Sequence, residues 1–297
     1  MFKRVGLFLV TNLLVILTVS FVLGVLLPLL GIEVGGGFWG LSIFCGIFGM
    51  TGAFISLAIS RWSAKRAYGI ELIGADAASP RARELHSMIE RLARDAGLPA
   101  TPEVGIFQSQ GPNAFATGPS KSKSLIAFST GLLDSMGERE LEAVAAHEIS
   151  HIANGDMVTL ALLTGVANAL VMFLARLAAH ALGSVLSDDD DGGGLGFFGY
   201  IMVVMLLESV FMFFAYIPIA WFSRQREFRA DGGSARLTTP GAMIGALEAL
   251  GRAAEVRVSG ENKAMTLAMI HSSRRVSLWS THPSLEDRVM RLQHFTG

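Results

Sequence analysis

Residues 138–155 read ERELEAVAAHEISHIANG. Acidic residues in the first turn and Gly155 just past the end predict a helix over Glu138–Asn154. Within it, HEISH sets His147 and His151 four residues apart, so both imidazoles project from one face and suit two ligands of one metal. Glu148, beside the first histidine, can reach a water at that metal without entering the coordination sphere, which is the placement of a general base. With seven histidines in the chain, such a pattern arises by chance in on the order of one sequence per hundred. The motif therefore needs support from elsewhere in the chain.

A catalytic zinc needs a third protein ligand and one open position. Glu227, in SRQREFRAD (223–231), is the best candidate. Asp231, four residues on, shares its helical face and can hydrogen-bond a ligating histidine from outside the coordination sphere. Taken alone, this segment reads as a solvated, charged helix end just inside a membrane. Beside HEISH the ligand reading prevails.

The membrane enters through what surrounds these motifs. Of 297 residues, 51% are hydrophobic and 16% charged, against about 25% charged in a typical soluble domain. Stretches 5–27, 38–60, 157–175 and 197–222, the last with Glu208 as its only charge, are long enough to predict four spanning helices. Lys3 and Arg4 would also suit a cleavable signal peptide, but the first stretch is too long and lacks a small-residue cleavage site. Two spans separate His151 from Glu227 and return the chain to its starting side, so the second hairpin can be an insertion within one soluble metal site. Glu138, Arg139, Glu140 and Glu142 beside HEISH argue against a metal at bilayer depth.

The resulting organisation is a transmembrane hairpin (1–60), a first catalytic segment with HEISH (61–156), a second hairpin (157–222) and a second catalytic segment with the third ligand (223–297). Lys3 and Arg4, Arg61, Lys65 and Arg66, and Arg224, Arg226 and Arg229 all fall on one side. The opposite loops, 28–37 and 183–196, hold no Lys or Arg. The positive-inside tendency then places both termini and the metal site in the cytoplasm. Arg176, near the outer end of the third span, is the exception. We read it as snorkelling, with an approach to Glu208 as the alternative. A net charge of -1 gives no reason to expect a nucleic-acid partner. The single cysteine, Cys45, lies inside the second span and excludes a disulfide framework. The Asp/Gly run 188–194 reads as a solvated turn before a calcium loop.

Around the motifs, Ser79 can cap a helix that Pro80 opens, with Leu85, Ile89, Leu92 and Ala96 at helical spacing before Gly97. Residues 103–108 and 124–129 read as strands of a small sheet, with GPNAFATG (111–118) between them. Residues 240–254 and 284–295 look helical.

HEISH before a span, RQREFRAD after the next, NAFATG, and THPSLEDR (281–288) near the C-terminus together resemble the HtpX protease family over essentially the whole chain. The resemblance implies one zinc ion per chain on His147, His151 and Glu227, Glu148 as catalytic base and acid, and Asp231 orienting a ligand histidine. It places His282 where an imidazole can hydrogen-bond the tetrahedral oxyanion, although a loop histidine capping the next helix fits equally. It makes Asn113, Ala114 and Phe115 a substrate-edge segment where an extended peptide adds to a strand, with a structural loop as the alternative. Its implied setting is quality control of unfolded or misfolded membrane proteins, under stress, in the bacterial inner membrane. The fold expected is mainly α with a small β-sheet (α+β), a zincin-like metalloprotease domain on a four-helix transmembrane region. Two other classes compete. A membrane scaffold or chaperone-like binder with a structural zinc would close its site with four protein ligands, and a transporter would bind its metal at bilayer depth.

Overall fold

A computed structural model describes residues 17–29, 37–186, 196–260 and 280–296. Along the chain come α1 (Phe38–Tyr68), β1 (Glu71–Ile73), α2 (Pro80–Asp95), β2 (Glu103–Phe107), β3 (Ala114–Ser120), β4 (Lys123–Ser129) and α3 (Thr130–Ser135). They are followed by α4 (Glu138–Asn154), α5 (Asp156–Leu186), α6 (Gly196–Leu237), α7 (Pro240–Gly260) and α8 (Leu285–Gln293). This is the mainly helical fold with a small sheet that the sequence implies. The chain divides into two compact units, Met1–Ser56 with Leu160–Ile219, and Leu57–Thr159 with Ala220–Gly297.

In the first unit, α1, α5 and α6 supply three apolar stretches long enough to cross a bilayer, with mean hydropathies of 1.9, 2.1 and 2.1. Only 17%, 11% and 6% of those stretches is buried. Apolar surface on that scale is stable against lipid, not against water. Much of the expected first span lies outside the described residues; 17–29 is helical, with a π-turn at Val22–Leu26. The Asp/Gly run 188–194 also lies outside them. Arg176 does not snorkel. Its guanidinium donates to Glu208 Oε1 at 2.7 Å and to the Met172 carbonyl at 3.0 Å. In an apolar layer, a carboxylate within reach on the neighbouring helix is worth more to the cation than a strained extension toward water.

The second unit carries a four-stranded sheet in the order β1-β2-β4-β3, with β2 and β4 parallel and the outer pairings antiparallel. Its inner strand β4 is buried from Ser124 onward, as its apolar run LIAF requires. The two strands read from sequence appear as β2 and β4. The short β1 and the edge strand β3 are additions, made by pairing with those two. Helix α2 starts at Pro80, but the Ser79 side chain makes no capping hydrogen bond, so the fixed φ of proline does that work. Leu85, Ile89 and Leu92 of α2, Ile126 and Phe128 of β4, Ala146 and Ile149 of α4, Met243 and Leu247 of α7 and Leu292 of α8 share one core. This core fixes the position of α4.

Candidate metal centre

Helix α4 is held at both ends. The Gly137 amide donates to Glu140 Oε2 at 2.7 Å, and Gly155 closes the helix at φ 71°, a left-handed conformation natural to glycine. That single residue turns the chain directly into α5, and the turn brings Asp156 back over the end of α4. Asp156 Oδ2 then lies 2.7 Å from His151 Nδ1.

Helix α6 meets α4 at very close range. A Cβ on Gly233 would sit 2.3 Å from Ser150 Oγ, and Ser234 Oγ donates to the Ala143 carbonyl at 2.7 Å. This contact directs Glu227 and Asp231, about two turns and under one turn earlier on α6, at the histidines of α4. Replacing Gly233 with valine is expected to force the helices apart, at about 1–3 kcal/mol of overpacking. The check is a thermal melt and a zinc titration of the variant, both of which should weaken together.

His147, His151 and Glu227 converge. The two Nε2 atoms face each other at 3.1 Å, Glu227 Oε1 lies 3.4 Å from His151 Nε2, and Glu227 Oε2 lies 3.7 Å from His147 Nε2. Ligand atoms around a tetrahedral zinc, each at about 2.0–2.1 Å from it, stand about 3.3 Å apart. The donor set therefore fits the ion that the motifs imply. Two imidazole lone pairs aimed at one point also repel unless a proton or a cation lies between them. Among the described residues this trio is the group with metal-binding geometry.

A carboxylate stands behind each ring. Asp231 Oδ1 lies 3.0 Å from His147 Nδ1, although off the line of a well-aligned hydrogen bond, and Asp156 holds His151 Nδ1. Asp156 thus keeps the proton on His151 Nδ1 and presents its Nε2, and the Asp231 carboxylate beside His147 Nδ1 favours the same tautomer there. Burial works against charging either imidazole. For His147 the Asp231 and Glu227 carboxylates outweigh it and push the ring up; for His151, Asp156 and Glu227 push it up to about 9. Burial likewise opposes the Glu227 charge, but His147, His151 and His282 outweigh it and hold the carboxyl well below its ordinary range.

The remaining expected residues fall as follows. Glu148 is half-buried and, among the described residues, makes no hydrogen bond or ion pair, so its carboxylate is uncommitted. His282 is exposed, and its Nδ1 lies 3.1 Å from Glu227 Oε2, on the ligand carboxylate itself. Asn113 leads into β3: its amide donates to Ser129 Oγ at 2.8 Å and its carbonyl accepts from the Ser129 amide at 2.8 Å. Ala114 and Phe115 pair with Phe128 and Ala127 of β4, which leaves the outer edge of β3 without a strand partner among the described residues. The Phe115 ring packs with Tyr68 and Phe107 at centroid distances of 5.2 and 5.7 Å.

Two residues were not anticipated from the sequence. Asp156 is the last residue of the first catalytic segment, with no role expected for it; its signal is an acid placed directly after a helix-ending glycine. Arg288, 8% exposed, grips Asp231 with Nε at 2.8 Å from Oδ2 and Nη2 at 2.6 Å from Oδ1. Its signal was a charge on the apolar face of α8, between Leu285 and Leu292.

Comparison with known proteins points the same way. Peptidase family M48 matches residues 79–296. The Protease HtpX homolog of Desulfotalea psychrophila is 46% identical over 293 residues, covering 98% of this chain and 99% of its own length. Protease HtpX of Aeromonas hydrophila subsp. hydrophila is 46% identical and that of Shewanella oneidensis 47%, each over 297 residues with the same coverage. The crystal structure of S. mikatae Ste24p shares the fold, with a TM-score of 0.62 at 19% identity over 95% of this chain. The chain spans 66% of that longer protein.

Proposed function

The chain belongs to peptidase family M48 and, within it, to the HtpX proteases, and from that premise we propose that it is a zinc metalloendopeptidase of the HExxH-plus-Glu type. His147, His151 and Glu227 would hold one zinc ion. Its substrates would be unfolded or misfolded proteins of the bacterial inner membrane, cut on the cytoplasmic side. The convergence of two Nε2 atoms and the Glu227 carboxylate, with Glu148 uncommitted beside them, is the observation that carries this reading. Three ligands leave a position for water, which favours hydrolysis over a structural zinc.

When bound, zinc would polarise the scissile carbonyl and lower the pKa of a coordinated water to about 7. Glu148 takes the proton from the attacking water and delivers it to the leaving amine. Asp231 and Asp156 keep the rings aligned throughout. His282, exposed and beside Glu227, is proposed to donate to the oxyanion as it develops. The backbone of 113–115, at the free edge of β3, is proposed to take up the substrate as an added strand. The arginine clusters that follow the second and fourth spans support the cytoplasmic placement.

The decisive assay incubates the detergent-solubilised protein, zinc-replete, with an unfolded membrane protein, with and without chelator. Cleavage that chelation abolishes and zinc restores is expected. Zinc bound with no cleavage of any such substrate would favour the scaffold instead.

Acidity bears on loading. The His151 imidazole, raised to about 9, holds its proton above the usual range, and ligation requires that proton to leave. Protons thus compete with zinc below that pH, so apparent zinc affinity should climb as the pH rises toward about 9 and level off above it. Competitive chelator titration across this window would check the sign.

A further inference from the structure

Helix α8 is amphipathic, and Leu285, Val289 and Leu292 mark its apolar side. Arg288 lies on that side and is buried, a position that a cation tolerates only with charged partners. The register of α8 is set independently of any ion pair. Leu292 sits in the core, the Phe295 ring lies 3.0 Å from where a Cβ on Gly232 would be, and the Arg291 guanidinium stacks 3.8 Å from the Phe228 ring centre. With the helix so docked, the Arg288 fork holds both oxygens of Asp231, and its Nη1 stands 3.8 Å from Glu227 Oε2. One guanidinium therefore touches both acids that α6 presents to the metal centre. Since Asp231 Oδ1 is also the atom 3.0 Å from His147 Nδ1, the plane in which Arg288 fixes the carboxylate sets the direction in which it meets the ring.

Charge favours the same residue. Glu148, Asp156, Glu227 and Asp231 crowd around the centre. Arg229 stands 3.5 Å from Asp156 and Arg226 3.9 Å from Glu227 Oε1, and Arg288 is the guanidinium paired with the buried Asp231.

We infer that Arg288 is a positioning residue of the metal centre: through Asp231 it fixes the ring of His147, and it supplies the positive charge that the buried Asp231 carboxylate needs. This rests on the zinc reading above. Lysine is not a substitute, because an ammonium has no planar fork to define the carboxylate plane.

The test uses the full chain in detergent as wild type, R288A, R288K, D231N and R288A/D231N. Zinc affinity is measured by chelator competition, hydrolysis at saturating zinc, and thermal melting without zinc. The wild type should bind one zinc. R288A and D231N should each bind it 10–100-fold more weakly, as loss of outer partners of a ligating histidine does. R288K should fall about tenfold, and the double variant should be no worse than the weaker single variant. At saturating zinc, kcat should drop with KM unchanged, and added guanidinium should partly restore zinc affinity in R288A but not in D231N. If R288A fails to fold, R288K carries the test. A wild type that binds no zinc sinks the metal reading and this inference together. A wild type with one zinc, and either R288K equal to it or additive losses in the double variant, overturns this inference alone.

Discussion

A Glu148→Gln variant is expected to keep one zinc per chain while losing peptide-bond hydrolysis by on the order of a thousand-fold, within the range typical of general acid–base groups. The substitution preserves shape and leaves His147, His151 and Glu227 untouched. It removes only the carboxylate able to accept a proton. Because Glu148 makes no hydrogen bond or ion pair among the described residues, its loss should not disturb the fold, and the melting temperature should stay near that of the wild type. Metal content by elemental analysis and kcat/KM on an unfolded substrate are the paired measurements. Turnover at the wild-type level would defeat the mechanism, and loss of zinc would mean that Glu148 is a ligand, not a base.

Glu227→Gln should act differently, weakening zinc binding more than a hundred-fold, beyond the 10–100-fold typical of outer partners. Glutamine keeps the side-chain volume but offers a neutral oxygen to a dication. It also leaves Arg288 and His282, at 3.8 and 3.1 Å, without the carboxylate that they face. Excess zinc should restore metal binding only in part. Since Glu227 is 3% exposed, the variant should still fold, because the amide fits the same space. A zinc titration with parallel circular dichroism separates loss of ligand from loss of structure. Full metal content after dialysis would remove Glu227 from the ligand set.

What could be read from the sequence was local. Helical periodicity alone puts His147 and His151, and Glu227 and Asp231, on common faces, so these four are visible before any fold is known. Strand β4 is legible as an apolar run for the same reason. Strands β1 and β3 are not: β1 owes its extended state to β2, distant in sequence, and β3, although it pairs with the adjacent β4, carries the turn-like GPNAFATG pattern. Asp156 escaped notice because its direction depends on one left-handed residue, Gly155, and not on any period. Arg288 and His282 reach the centre only through the docking of α8 and the residues just before it against α6. The Arg176–Glu208 pair depends on how two helices align in depth, which hydropathy does not encode.

In the proposed site, the imidazoles precede the α5–α6 hairpin and the carboxylate follows it. A ribosome making this chain therefore releases HEISH well before its third donor exists. A half-made polypeptide would hold only two of the proposed donors, the imidazoles of HEISH, until SRQREFRAD is made. With that ligand set, the site would stay incomplete until α6 has been made.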